Sequence, residues 1–93
     1  MAQRQILVLS AARTPIGAFG GTLKDTPLAT LATTACSAAL TRSGVDPGEV
    51  GHVVMGNVVP TEPRDAYLSR VAAMDSGIPQ ETPAFNVNRL CGS

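Results

Sequence analysis

The first apolar positions fall in an unbroken run, Ile6-Leu7-Val8-Leu9, flanked by polar Arg4-Gln5 and Ser10. A run of strand length without alternation predicts a strand covered on both faces, as in a parallel sheet. From Ala11 to Asp25 the periodicity disappears, and Pro15, Gly17, Gly20 and Gly21 punctuate scattered apolar residues, which predicts a loop. Loops this long inside compact domains tend to act on something or to cover something. The period then becomes helical: Leu28, Leu31, Ala32, Ala35, Cys36, Ala39 and Leu40 form one stripe. Thr26 is the expected cap, Pro27 suits the first helical position, Arg42 suits the last turn, and Gly44 ends the helix.

Asp46-Pro47-Gly48-Glu49 is turn chemistry. Val50 to Val59 follows as a second buried strand, interrupted by Gly56 and Asn57. Pro60 to Asp65 is a stiffened loop whose Glu62, Arg64 and Asp65 read as a solvated charge cluster. A second helix starts at or near Asp65, with Tyr67, Leu68, Val71 and Met74 on one face and Ala72-Ala73 allowing close approach; Gly77 and Pro79 stop it. Met55 and Met74 read as core filler. The third strand, Ala84 to Leu90, alternates Phe85 and Val87 with Asn86 and Asn88, so one of its faces meets something polar, such as a subunit boundary or a site network.

Composition narrows the function classes. The sequence of 93 residues is 44% hydrophobic, which argues for one packed unit or part of one. Basic and acidic side chains, 7 of each, cancel, and aromatics are only 3%, so neither a polyanion surface nor a base-stacking platform is indicated and nucleic acid is not an expected partner. Nothing approaches the length of a membrane span, and the amino terminus lacks the basic-then-apolar order of a secretory signal, so the expected location is cytoplasmic. Cys36 and Cys91 are expected as reduced thiols rather than a disulfide. No metal site and no bound cofactor are indicated.

Candidate chemistry concentrates in Asn86-Val87-Asn88-Arg89-Leu90-Cys91-Gly92-Ser93. Cys91 follows a strand and precedes two small residues, so it sits on a turn where backbone N–H groups favour a thiolate if a helix follows. A free cysteine has a pKa of about 8.5, so a nucleophilic role needs such help, usually with a histidine beside it. The bland alternative is a buried structural thiol. Cys36, on the apolar stripe, reads as a small core residue. His52 stands at the amino end of its strand, whereas open parallel sheets place their ligands beyond the carboxyl ends, so it is not expected in a site. Arg13 to Gly17 and Phe19 to Gly21 match neither a Walker loop nor a dinucleotide fingerprint, and structural packing is their expected role.

The element order is βαβαβ, and right-handed crossovers place its three strands parallel in one α/β sheet with Cys91 at a carboxyl end. Two helices leave that sheet incompletely covered. An amino-terminal segment of a larger enzyme, or one chain of an interrupted one, is the expected context.

Ala11-Ala12-Arg13-Thr14-Pro15-Ile16-Gly17 with Phe19-Gly20-Gly21, Met55-Gly56-Asn57-Val58, and above all Asn88-Arg89-Leu90-Cys91-Gly92-Ser93 resemble the amino-terminal part of the thiolases, in the same order and spacing from near Ile6 to Ser93. The resemblance implies that residues 1–93 are the first part of a layered α/β/α/β/α thiolase domain, incomplete in this chain. It implies an acyl-CoA acyltransferase in which Cys91 carries the acyl group as a thioester and coenzyme A thioesters, acetyl-CoA or a 3-ketoacyl-CoA, are substrates rather than cofactors. It also implies a homo-oligomer, dimer or tetramer, with the strand before the nucleophile near the dimer boundary. The family's activating histidine and second cysteine lie downstream of the motif, in the remainder of the thiolase chain, and match neither His52 nor Cys36. The Thr61 to Asp65 loop resembles that of bacterial β-ketothiolases.

Condensation of two acetyl-CoA to acetoacetyl-CoA, or its reverse, is the first expectation, and a longer-chain 3-ketoacyl-CoA thiolase the second. A ketoacyl synthase is disfavoured by the context of Cys91. A non-catalytic assembly piece of the same fold is the reading from a different class.

Overall fold

The computed structural model describes residues 3–93. Its longest element is α1, Leu28–Ser43, followed by β1, Val53–Gly56, then α2, Leu68–Asp75, and β2, Ala84–Val87. Short 3₁₀ turns at Pro47–Glu49 and Pro63–Tyr67 lead into β1 and α2. The strands are parallel, with Val53 opposite Ala84 and Gly56 opposite Val87. α1 packs on α2, and α2 packs on both strands. The described residues thus form a small α/β unit built on a two-stranded sheet.

α1 forms where its stripe predicts. The first carbonyl of its ladder belongs to Pro27, which accepts from Thr30 N and Leu31 N, while Thr26 makes no side-chain cap. Gly44 closes the helix at φ 70°, a conformation that costs glycine least. Leu28, Leu31, Ala32, Ala35, Cys36, Ala39 and Leu40 are half-buried, and Ala29 is the buried residue.

Three expectations need correction. Ile6 to Leu9 forms no strand: its backbone joins no ladder, and Ile6 and Val8 are 90% and 89% exposed. A strand is held by neighbours on its edges and layers on its faces. Here the tie is one residue later, where Ser10 Oγ donates to Ala39 O at 2.6 Å. Leu9 and Val54 line a common cleft of about 360 Å³ instead of touching as paired strands.

The other two strands are shorter than expected, because side chains replace the ladder at their ends. Val50 O accepts from Thr82 Oγ1 at 3.1 Å, and Asn88 Nδ2 donates to Val58 O at 3.1 Å.

The buried face of α2 is Leu68, Ser69, Ala72 and Ala73, whereas Tyr67 and Met74 are exposed. Alanine and serine occupy the contact because α2 lies close to α1 and to the sheet together, and small side chains permit that approach. Met74 is therefore not core filler.

Candidate active site

β2 delivers Cys91 to a tight turn. Asn88 Oδ1 accepts from Leu90 N at 3.1 Å, an Asx turn that bends the chain immediately after the strand. Leu90 then takes φ 49°, in the left-handed region that branched residues avoid at a cost of roughly 1–2 kcal/mol. Ser93 holds the bend from the other side. Its N and Oγ both donate to Leu90 O, at 3.0 and 2.8 Å, and its Oγ accepts from Arg89 N at 2.6 Å. Gly92 N donates to Arg89 O at 3.0 Å. Cys91 is a free thiol, exposed at the crest of this turn beyond the carboxyl ends of both parallel strands.

Beside it, β1 ends on a glycine for a steric reason. A Cβ on Gly56 would lie 2.8 Å from Ser93 O and 3.2 Å from Ser93 Cβ, so only glycine lets the turn settle against β1. Met55, Gly56 and Asn57 also line an open cleft of about 380 Å³ with Ala12, Arg13 and Thr14. The long loop after the first apolar run therefore reaches the carboxyl end of the sheet.

Asn86, the asparagine of β2, faces a network inside the chain. Asn86 Oδ1 accepts from Ser69 N at 2.9 Å, and its Nδ2 donates to Ala66 O and Asp65 O at 3.0 and 3.4 Å. Asn57 Nδ2 donates to the same Asp65 carbonyl at 3.2 Å. The polar face of the alternating strand thus packs on the start of α2, and its apolar Phe85 lies outward, edge-on to His52 with ring centroids 5.0 Å apart.

Asp65 is the residue that sequence reasoning missed. Instead of joining a solvated cluster it is 1% exposed. Its carboxylate accepts from Thr61 Oγ1 at 2.6 Å, Thr61 N at 2.7 Å and Glu62 N at 3.0 Å. Arg64 pairs outside with Asp75 at 3.7 Å, across two exposed side chains. The signal was present in Glu62-Pro63-Arg64-Asp65: a proline at the first helical position with an acid two residues on marks a carboxylate reaching back to the helix start.

The Thr61 hydroxyl bond, then the Thr61 and Glu62 N–H groups, hold the Asp65 carboxyl below its usual range, against the opposing effect of burial. A depressed carboxyl pKa adds stability that is fully present above the unfolded value, about 4, and is lost as the pH falls through the folded value. Asp65→Asn should therefore flatten the loss of stability below about pH 4, read as urea midpoints across a pH series of the full-length protein. A series as steep as wild type would mean that Asp65 is not the group being protonated.

The other candidates stand apart from Cys91. His52 precedes β1, at the opposite end of the parallel pair. Cys36 is half-buried, lining a cleft with His52, and burial pushes its thiol up, away from nucleophilic character. Arg13 Nη1 donates to Thr14 O, a local bond in keeping with structural packing of its loop. No group of histidine, cysteine and acidic side chains suited to a metal occurs among the described residues.

Comparison with known proteins places this geometry. Residues 6–93 match the family model described as thiolase, N-terminal domain. Over 90 residues the chain is 53% identical to beta-ketothiolase BktB of Cupriavidus necator, covering 97% of this chain and 23% of that protein. It is 47% identical over 90 residues to human mitochondrial 3-ketoacyl-CoA thiolase, again covering 97% of this chain and 23% of that protein.

The solved structure of the human mitochondrial enzyme in complex with CoA superposes with a TM-score of 0.89 at 48% identity, over 92% of this chain and 22% of that one. Acetyl-CoA acetyltransferase of Bacillus anthracis superposes with a TM-score of 0.84 at 35% identity, over 92% of this chain and 22% of that one. The chain thus spans less than a quarter of the length of these relatives. A family model matched from the first apolar run to the cysteine turn, and a fold shared with solved members, establish that this chain belongs to the thiolase family.

Proposed function

We propose that the protein carrying this segment is an acyl-CoA C-acyltransferase in which Cys91 is the nucleophile. The observation that carries the reading is a free cysteine on a braced turn beyond the carboxyl ends of the parallel strands, where open α/β sheets put their chemistry.

The Cys91 thiolate attacks the thioester carbonyl of an acyl-CoA; a carbon–sulfur bond forms, and collapse of the tetrahedral adduct expels the CoA thiolate, which takes up a proton. The α-carbon of a second acyl-CoA, after losing a proton to a base, attacks the acyl group. A carbon–carbon bond forms, the bond to sulfur breaks, and the Cys91 thiolate returns. Splitting the condensation this way gives ping-pong kinetics. Deprotonation of Cys91 and of the second substrate falls to groups outside these residues, since His52 stands at the far end of the sheet.

Acetyl-CoA is the substrate we assign, giving acetoacetyl-CoA and CoA, or the reverse. The longer-chain alternative is favoured by one observation, the 47% identity to human mitochondrial 3-ketoacyl-CoA thiolase. Assay of the full-length protein on acetoacetyl-CoA and on a longer 3-ketoacyl-CoA separates the two. A higher kcat/KM on acetoacetyl-CoA is expected, and a clear preference for the longer substrate overturns the assignment. A homo-oligomer, dimer or tetramer, is part of the same proposal.

A further inference from the structure

We infer that Asn88 is a positioning residue for Cys91, holding the cysteine turn against the segment that follows β1. The inference rests on Cys91 as the nucleophile. Asn88 uses both ends of its amide: Oδ1 accepts from Leu90 N at 3.1 Å, and Nδ2 donates to Val58 O at 3.1 Å. One end fixes the residue before the cysteine at its unfavourable φ of 49°, and the other fixes where that residue sits relative to β1.

The Val58 end is itself anchored. Asn57 Nδ2 is tied to Asp65 O at 3.2 Å, and the buried Asp65 carboxylate closes the loop back onto Thr61 and Glu62. Asn88 therefore adds to the Ser93 brace a tie from a fixed point to the turn, and supports its left-handed residue against relaxing toward common backbone angles. A shift of the sulfur by about an ångström is enough to lower the rate of its attack by around 10²-fold, without changing how the distant parts of a substrate bind.

The test uses the full-length protein and reads the single-turnover rate of Cys91 acylation by acetyl-CoA, with kcat, KM and Tm alongside. Asn88→Ala should slow acylation and kcat by around 10²-fold, with KM within about threefold of wild type. Asn88→Asp keeps the acceptor for Leu90 N and loses the donor to Val58 O, so its rate should fall between the two. An acylation rate for Asn88→Ala equal to wild type, or a loss that disappears once rates are referred to the folded fraction, overturns the inference. Should Asn88→Ala fail to fold, an unchanged rate in Asn88→Asp overturns it in the same way. Wild type that leaves Cys91 unacylated refutes the nucleophile itself, a result distinct from equal rates in wild type and variant.

Discussion

Cys91→Ala in the full-length protein should lower acyl transfer by roughly 10⁴-fold or more while leaving stability within about 0.5 kcal/mol of wild type. The two halves of that result have separate causes. Covalent transfer needs an atom to hold the acyl group between donor and acceptor, and no neighbouring side chain stands in: Gly92 offers none, and the Ser93 hydroxyl already bonds Arg89 N and Leu90 O. Stability is largely spared because the turn is held by Asn88 and Ser93 rather than by the sulfur, so its bonds survive the substitution. Activity in the variant above about one hundredth of wild type would contradict a covalent role for this thiol.

The second large effect comes from a residue with no chemistry of its own. Gly56→Ala should lower kcat by around 10²-fold and cost about 1–3 kcal/mol of stability. The new methyl would lie 3.1 Å from Ser93 C and 3.2 Å from Ser93 Cβ, closer than side-chain carbons ordinarily approach. Relief requires the Arg89–Ser93 turn to move, and Cys91 moves with it. Gly51→Ala is the matched control, because nothing lies within 4 Å of a Cβ there and the substitution should be nearly neutral. Equal activity in both variants would show that the close approach of Ser93 to β1 has no bearing on the cysteine.

What the sequence disclosed followed the range of the forces involved. α1, Leu28–Ser43, was readable because its stripe repeats from Leu28 to Leu40 and Gly44 marks its end, signals that are local. The cysteine turn was readable for a similar reason, a strand pattern running into Cys91-Gly92-Ser93. Ile6 to Leu9 had the right composition for a strand but not the neighbours, and strand formation depends on partners that composition does not report.

On α2, Leu68 is buried and Ala72-Ala73 make the close approach expected of them, but Tyr67 and Met74 were misplaced because size was taken as a guide to burial. Between α1 and the sheet, Ala72 and Ala73 fit closely where Tyr67 and Met74 would not. Asp65 was misread for want of one distance: a carboxylate bonded by Thr61 and Glu62 is stable in the interior, whereas the same residue in a list of charges looks solvated. Asn86 and Asn88 were rightly marked as meeting something polar, but their partners are twenty and thirty positions away, Ala66 and Val58, and only the fold brings them together.

In the proposed reaction one thiol on a braced turn carries the acyl group between two coenzyme A thioesters. Its most direct test is to mix the full-length protein with acetyl-CoA, quench within a turnover, digest, and locate the added acetyl group by mass spectrometry. The account predicts a single labile acetyl thioester on the peptide containing Cys91, discharged when a second acyl-CoA is added. Acetyl transfer that proceeds with the Cys91 peptide unmodified, or an acetyl group found on a different residue and released by the second substrate, would contradict it.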